Sequence, residues 1–207
     1  MIDRVFDPET RAALTRLSSW IVNRGFYLAD GTGCALHLGH RMSKDLDFFT
    51  PSEFDPSRLW NELRKKGDCV SDYTDAGTWV GKFEGTKAGF YHHPYPLIGK
   101  TVLFAGVPVA SLEDIGCMKI EAIAGRGRKR DFVDLYFILN KKGFDLSALW
   151  GFFQKKYARQ SRNSVHILKS IVYFVDADAD PDPLMLVEYS WHKIKQKLAE
   201  LIRTIVI

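Results

Sequence analysis

The chain has 207 residues, 46% of them hydrophobic and 26% charged, with a formal net charge of +4. That balance suits one soluble globular core with room for a small appendage, and a charge this mild does not by itself mark a nucleic-acid binder. No stretch approaches the roughly 18 uninterrupted apolar residues of a membrane span. The N-terminal "MIDRVFDPETRAAL" carries charges where a signal peptide would be apolar, and the three cysteines, Cys34, Cys69 and Cys117, form no CxxC pair. These features argue against a disulfide framework or a zinc site, place the cysteines in the core, and point to a cytoplasmic protein.

Asp7-Pro8 opens a first helix, with Leu14, Leu17, Trp20 and Ile21 at helical spacing and Gly25 ending the run. A short strand-like segment, Phe26 to Ala29, leads into the turn "DGTG" and then a short helical stretch, "CALHLGH". The segment "KDLDFF" follows as a strand with Leu46 on one face and two aspartates on the other. Asp55-Pro56 starts another helix with Leu59, Trp60 and Leu63 on its buried stripe. From Cys69 to Val109 the pattern is β, carried by "TWVGKFEG", "KAGFYHHPY" and "KTVLFAGVPVA". Ser111 begins a helix through Ala124, Gly125 and Gly127 break it, and a second helix spans about Asp131 to Asn140. Beyond residue 144 the chain reads as helical: "SALWGFFQKKYA", "SVHILKSIVYFV" and a C-terminal segment from Tyr189. The acidic "DADADPDP" (176–183) reads as a turn, since Pro181 and Val187 stand where a calcium loop needs Gly and Glu. The prediction is therefore an α+β domain over residues 1–143 with a helical module over 144–207 packed on it.

Asp45 and Asp47 carry the chemistry. Residues i and i+2 of a strand point the same way, roughly 6.5–7 Å apart. At an effective dielectric near 20, two such charges repel by about 2.5 kcal/mol. A hard divalent cation relieves that repulsion, and Mg²⁺ (or Mn²⁺) is typically held by one or two carboxylates with phosphate oxygens and water. Gly31, Thr32 and Gly33 let backbone N–H groups approach an anion, the following helix offers its positive end, and Ser43 lies two residues before Asp45. Each feature alone is common. Together, with His40 and Arg41 between them, they suggest a metal-bound nucleotide triphosphate. The run "GRGRKRD" concentrates cations at Arg126, Arg128, Lys129 and Arg130, either as a solvated helix start or as a surface for nucleic-acid phosphates. His92-His93 reads as a loop or core edge.

The stretch "LADGTGCALHLGHRMSKDLDFF" resembles the first motif of the AbiEii/AbiGii-type toxin family, a branch of the polymerase-β-like minimal nucleotidyltransferases. "SLEDIGCMKIEAIAGRGRKRDFVDLYFI" resembles the family's second block, and "YFVDADADPDPLM…WHKIKQ" a C-terminal signature of one subgroup. The resemblance implies a polymerase-β-like core, a small mixed sheet with flanking helices. It further implies that Asp45 and Asp47 hold the metal and the nucleotide phosphates, that Gly31, Thr32 and Ser43 cradle the phosphates with Arg41 nearby, and that Lys119 reaches a phosphate. Asp131 would act as acid/base or orient Lys119. The implied activity is nucleotidyl transfer from an NTP to an acceptor hydroxyl, with an RNA (tRNA) end as acceptor, in a type IV toxin countered by an antitoxin. Two departures stand out: the family's usual Gly before Gly31 is Asp30, and the strand where many relatives carry a third carboxylate offers Lys87 and no acid. They leave open a degenerate module that binds nucleotide, RNA or a partner protein.

Overall fold

The computed structural model describes residues 2–159 and 163–205. Helix α1 (Pro8–Asn23) starts as the Asp-Pro pair predicts, with Asp7 accepting the Thr10 N–H at 2.8 Å. β1 (Tyr27–Leu28) runs straight into α2 (Asp30–Leu38), so the segment expected as a turn is the first turn of a helix. Gly33 suits the close seating of α2, because a Cβ there would lie 3.0 Å from Ile115 Cδ1, tighter than an ordinary contact.

β2 (Leu46–Thr50) begins after Asp45, later than the sequence pattern suggested. The residues before it are claimed elsewhere. The Ser43 N–H donates to the Val5 carbonyl at 2.9 Å, and the Met42 N–H to the Leu184 carbonyl at 2.8 Å. Ser43 is therefore not on a strand face with the aspartates. α3 (Pro56–Arg64) follows, capped by Asp55. Next come β3 (Cys69–Asp75), β4 (Thr78–Phe83), β5 (Thr86–His92), β6 (Val102–Phe104) and β7 (Val107–Val109).

The strands form a seven-stranded mixed sheet in the order β3-β4-β5-β2-β1-β7-β6. β2 lies inside it, parallel to β5 and antiparallel to β1, with Asp47 opposite Gly89. Paired residues share a face, so Asp47 looks out over Lys87, Gly89 and Tyr91. The other face is apolar: Phe48 and Phe90 stack at 4.9 Å between ring centroids, and Trp79, Leu14, Leu17 and Ile21 close over them.

The rest of the described chain is helical: α4 (Leu112–Gly125), α5 (Lys129–Leu139), α6 (Leu146–Lys156), α7 (Ser164–Ser170), α8 (Val175–Asp178) and α9 (Trp191–Ile202). The helix expected over 164–175 stops early because its last turn tightens to i−3 bonds, Val172 to Lys169 and Tyr173 to Ser170. The expected C-terminal helix ends at Ile202, and residues 206–207 lie outside the described residues. α5 starts two residues earlier than expected. Its N-cap, Arg128, has no acceptor side chain, but the Asp180 carboxylate accepts the Lys129 N–H at 3.0 Å and supplies the cap from a distant loop.

One buried ion pair fastens α6 to α4. Lys156 Nζ lies 2.6 Å from Asp114 Oδ1 and donates to the Pro96 carbonyl at 2.9 Å. Asp114 also accepts from the Ile98 and Gly99 N–H groups and the Ser111 hydroxyl, so its charge is fully met. No helix among the described residues is long and apolar enough to cross a membrane.

Candidate active site

Asp45 and Asp47 sit at the junction of two clefts. The first, about 370 Å³, has Asp30, Asp45, Asp47, Phe49, Lys87, Tyr91, His93, Glu121, Arg126, Arg130 and Tyr157 among its walls. The second, about 520 Å³, runs between residues 41–45, the start of α5 and the loop 180–184. Asp45 and Arg130 line both.

Asp47 is the most perturbed acid there. Burial pushes it up first, the nearby charges of Asp30 and Asp45 add to this, and the carboxyl stands at about 7. The nearest cation to the pair is Arg130, 51% exposed, with Nη1 4.0 Å from Asp45 Oδ2. The Tyr91 hydroxyl approaches Asp47 Oδ1 at 3.4 Å. This donor set fits a hard divalent cation: two carboxylates lining one cleft, one of them raised toward neutrality because burial and its acidic neighbours outweigh Lys119 and Arg126.

Behind this pair lies a second charge cluster of opposite character. Lys119 is 1% exposed, on the buried side of α4. Its Nζ lies 3.0 Å from Asp131 and 2.8 Å from Asp134, and it also pairs with Asp30. Arg41 grips Asp134 with Nε at 2.7 Å and Nη2 at 2.8 Å, and the His40 Nε2 lies 2.8 Å from the same carboxylate. Arg126 holds Asp131 with Nε at 2.8 Å and Nη2 at 2.9 Å, and reaches Asp30 at 3.3 Å. Burial opposes ionisation of Asp131 and Asp134, but the adjacent cations win. Asp131 is held down at about 2 and Asp134 well below the usual carboxylate range. Burial likewise works against Lys119, yet Asp134, Asp30 and Asp131 raise it above the ordinary lysine value.

These contacts correct several expectations. Lys119 is enclosed by three carboxylates and does not line the cleft, so it is not a free charge waiting for a phosphate. Asp131 is ionised and doubly clamped, which removes it as an acid/base near neutral pH; the other expected role, orienting Lys119, matches its contacts. The Arg41 guanidinium is spent on Asp134 and the Met42 carbonyl rather than on the space a nucleotide would fill. Thr32 donates its hydroxyl to the Asp45 carbonyl, so Ser43 is the donor across the 2.7 Å Thr32–Ser43 contact. Both hydroxyls are buried and brace the segment before β2. Gly31 stays small for a local reason as well, since a Cβ would fall 2.5 Å from Arg41 Nη2.

The basic run is largely occupied too. Arg128 pairs with Asp180 at 2.8 Å, and Lys129, itself buried, reaches the Asp180 carbonyl and Asp182 at 2.5 and 3.1 Å. The acidic segment read as a plain turn is the counter-charge of this basic segment. Arg130, together with exposed Lys44 and the outer part of Arg128, keeps positive charge at the rim of the second cleft.

The residues sequence reasoning overlooked are the aromatic walls. Phe49 stacks on Tyr91 at 5.1 Å and meets His93 at 5.8 Å, and His93 packs edge-on against Tyr157 at 6.3 Å. The alternation Lys87, Gly89, Tyr91, His93 was the available signal, but its relevance depends on β5 pairing in parallel with β2. Cys34, His40 and Asp134 also place possible ligand atoms within 4.8 Å of one another. Arg41 and Lys119 already neutralise that aspartate, and burial keeps the Cys34 thiol protonated, so the group is core and not a metal centre.

A mixed sheet with an acidic pair on an inner strand, a helix N-terminus beside it and helices packed across its end is the arrangement of a nucleotidyltransferase. Residues 89–204 match the family model described as the nucleotidyl transferase AbiEii toxin of type IV toxin–antitoxin systems. The chain belongs to this AbiEii nucleotidyltransferase family. It is 37% identical over 205 residues to aq_aa25, an uncharacterized protein of Aquifex aeolicus (strain VF5), covering 94% of this chain and 98% of that one. Two Helicobacter pylori crystal structures share the fold at low identity. A candidate nucleotidyltransferase aligns with TM-score 0.59 and 15% identity over 96% of this chain and 95% of its own. JHP933 aligns with TM-score 0.58 and 16% identity over 98% of this chain and 92% of its own.

Proposed function

We propose that this nucleotidyltransferase moves a nucleoside monophosphate from an NTP to an acceptor hydroxyl at an RNA end, with tRNA the leading candidate. The observation that carries this reading is the under-compensated Asp45–Asp47 pair at the meeting point of two clefts. Asp45 and Asp47 would hold Mg²⁺ or Mn²⁺, which when bound would neutralise charge on the triphosphate and polarise the phosphate being transferred. Backbone N–H groups of the first turn of α2, around Gly31 and Thr32, face the phosphates. The aromatic walls of the first cleft take the nucleobase by stacking, and Arg130 and Lys87 contribute charge at its rim. The acceptor hydroxyl attacks the α-phosphorus from the second cleft and pyrophosphate leaves, so catalysis rests on positioning and electrostatics. Lys119, oriented by Asp131, acts as a positioning residue that fixes Asp30 in the first turn of α2. The family points to a toxin role and to restraint by an antitoxin protein.

The test is incubation of the full chain with Mg²⁺, each α-³²P-labelled NTP in turn and total tRNA, alongside Asp47→Ala. Label entering RNA with the wild type and not with the variant is the expected result, and it names the nucleotide. A second reading, a degenerate module that binds nucleotide or a partner without transfer, is favoured by the cleft face of β5, which offers Lys87, Gly89 and Tyr91 and no third acid. Absence of both transfer and Mg²⁺-nucleotide binding in a folded protein would select that reading.

A further inference from the structure

Asp30 stands where it is least expected. Its φ of +48° lies in the left-handed region, which favours glycine. It opens α2, at the helix end that would receive phosphate, yet it brings a negative charge there. Both of its oxygens are engaged by cations. One pairs with the buried Lys119 and the other with Arg126, which lines the first cleft.

The charge balance shows what this does. Apart from His40, three carboxylates (Asp30, Asp131, Asp134) meet three cations (Lys119, Arg41, Arg126). With Asp30 the cluster is neutral; without it, one positive charge is left beside the N-terminus of α2. Asp131 and Asp134 are wholly buried and cannot yield their cations to a ligand. Asp30 borders the first cleft and is the one carboxylate of the three that an incoming anion can replace.

We propose that Asp30 is an internal anion that occupies the cleft-facing side of Arg126 and thereby sets the enzyme's affinity for the triphosphate. The inference rests on the reading above that the phosphates approach the first turn of α2. It assigns Asp30 the role of a competitor, not of a third metal ligand. The nucleotide displaces the carboxylate from Arg126, and only a polyanion with enough charge does so. Monophosphates and diphosphates are discriminated against at this step.

Calorimetric titration of inorganic tripolyphosphate into the full chain, with Mg²⁺ and separately with EDTA, tests this on wild type, Asp30→Asn, Asp30→Gly and Asp30→Glu. Asn keeps the shape and Gly suits the backbone, so at least one neutral variant is expected to fold, as thermal melts will report. Both neutral variants should bind tripolyphosphate about tenfold more tightly, with the gain shrinking as salt rises; Asp30→Glu should stay near wild type. Unchanged affinity in folded variants overturns the proposal. So does weaker binding of Mn²⁺ alone, which would make Asp30 a metal ligand, and so does unfolding of both neutral variants, which would make it a structural counter-ion. If no form binds tripolyphosphate and the wild type transfers no label to RNA, the nucleotidyl-transfer reading fails with it. If transfer stands and the affinities do not move, only the inference on Asp30 fails.

Discussion

Two groups of aspartates lie close together and behave in opposite ways. Asp131 and Asp134 are wholly buried, yet every oxygen faces a cation and both are held ionised, Asp131 at about 2. Asp45 and Asp47 are only half-buried, yet Asp47 stands at about 7, because burial and two neighbouring carboxylates outweigh the opposing charges of Lys119 and Arg126. Burial alone does not separate structural from functional acids here. Compensation does: the protein completes the first group itself and leaves the second to be completed by something that binds.

The contrast breaks most visibly at Lys119. Replacing it with Met strands Asp131 and Asp134 with an incomplete shell, and unfolding free energy in urea should fall by about 3–5 kcal/mol. A loss under 1 kcal/mol would show that the cluster is not held by its charges. Asp47→Asn should do the reverse. Transfer should drop by about 10³-fold or more, equivalent to about 4 kcal/mol of barrier, while the melting temperature holds or rises because a repulsion is relieved. Mg²⁺ should raise the melting temperature of the wild type and leave that variant unmoved.

Much of the frame was legible in the sequence because it depends on local chemistry. Asp7-Pro8, Asp55-Pro56 and Ser111 announce helices that start where they were expected, and the Asp-Leu-Asp pattern marks the strand that carries the site. What was not legible depends on distant partners. Lys119 was expected to reach a phosphate, and its burial was not legible because the acids that enclose it come from α2 and α5. The basic run looked free because the aspartates that claim it lie about fifty residues further along the chain. The aromatic wall was hidden in a register, Asp47 opposite Gly89, that no single strand reveals.

The buried acids also give the comparison a pH signature. Asp131 sits at about 2 when folded, below the ordinary 3.8, so the folded state favours its ionised form. Its contribution, of order 2 kcal/mol, is complete above about pH 4 and is lost as pH falls toward 2. Urea unfolding from pH 5 down to pH 2 should show that decline. Asp131→Asn should make it shallower, with Asp134 carrying part of the remainder, while lowering stability at pH 7.

The smallest effect, and the one that sharpens the comparison at its functional end, is expected at Arg130. It is the cation nearest Asp45, it lines both clefts, and at 4.0 Å and half exposure it contributes little to stability. If the second cleft guides an RNA acceptor, Arg130 is a phosphate contact, and Arg130→Gln should weaken tRNA binding and lower the slope of log K against log salt by about 1. Arg128→Gln should shift that slope less, because Asp180 already holds one of its donors. An equal shift from both would mean that Asp180 does not compete with RNA for Arg128. No shift from either would move the acceptor out of the second cleft and leave Arg130 as a partner of Asp45 alone.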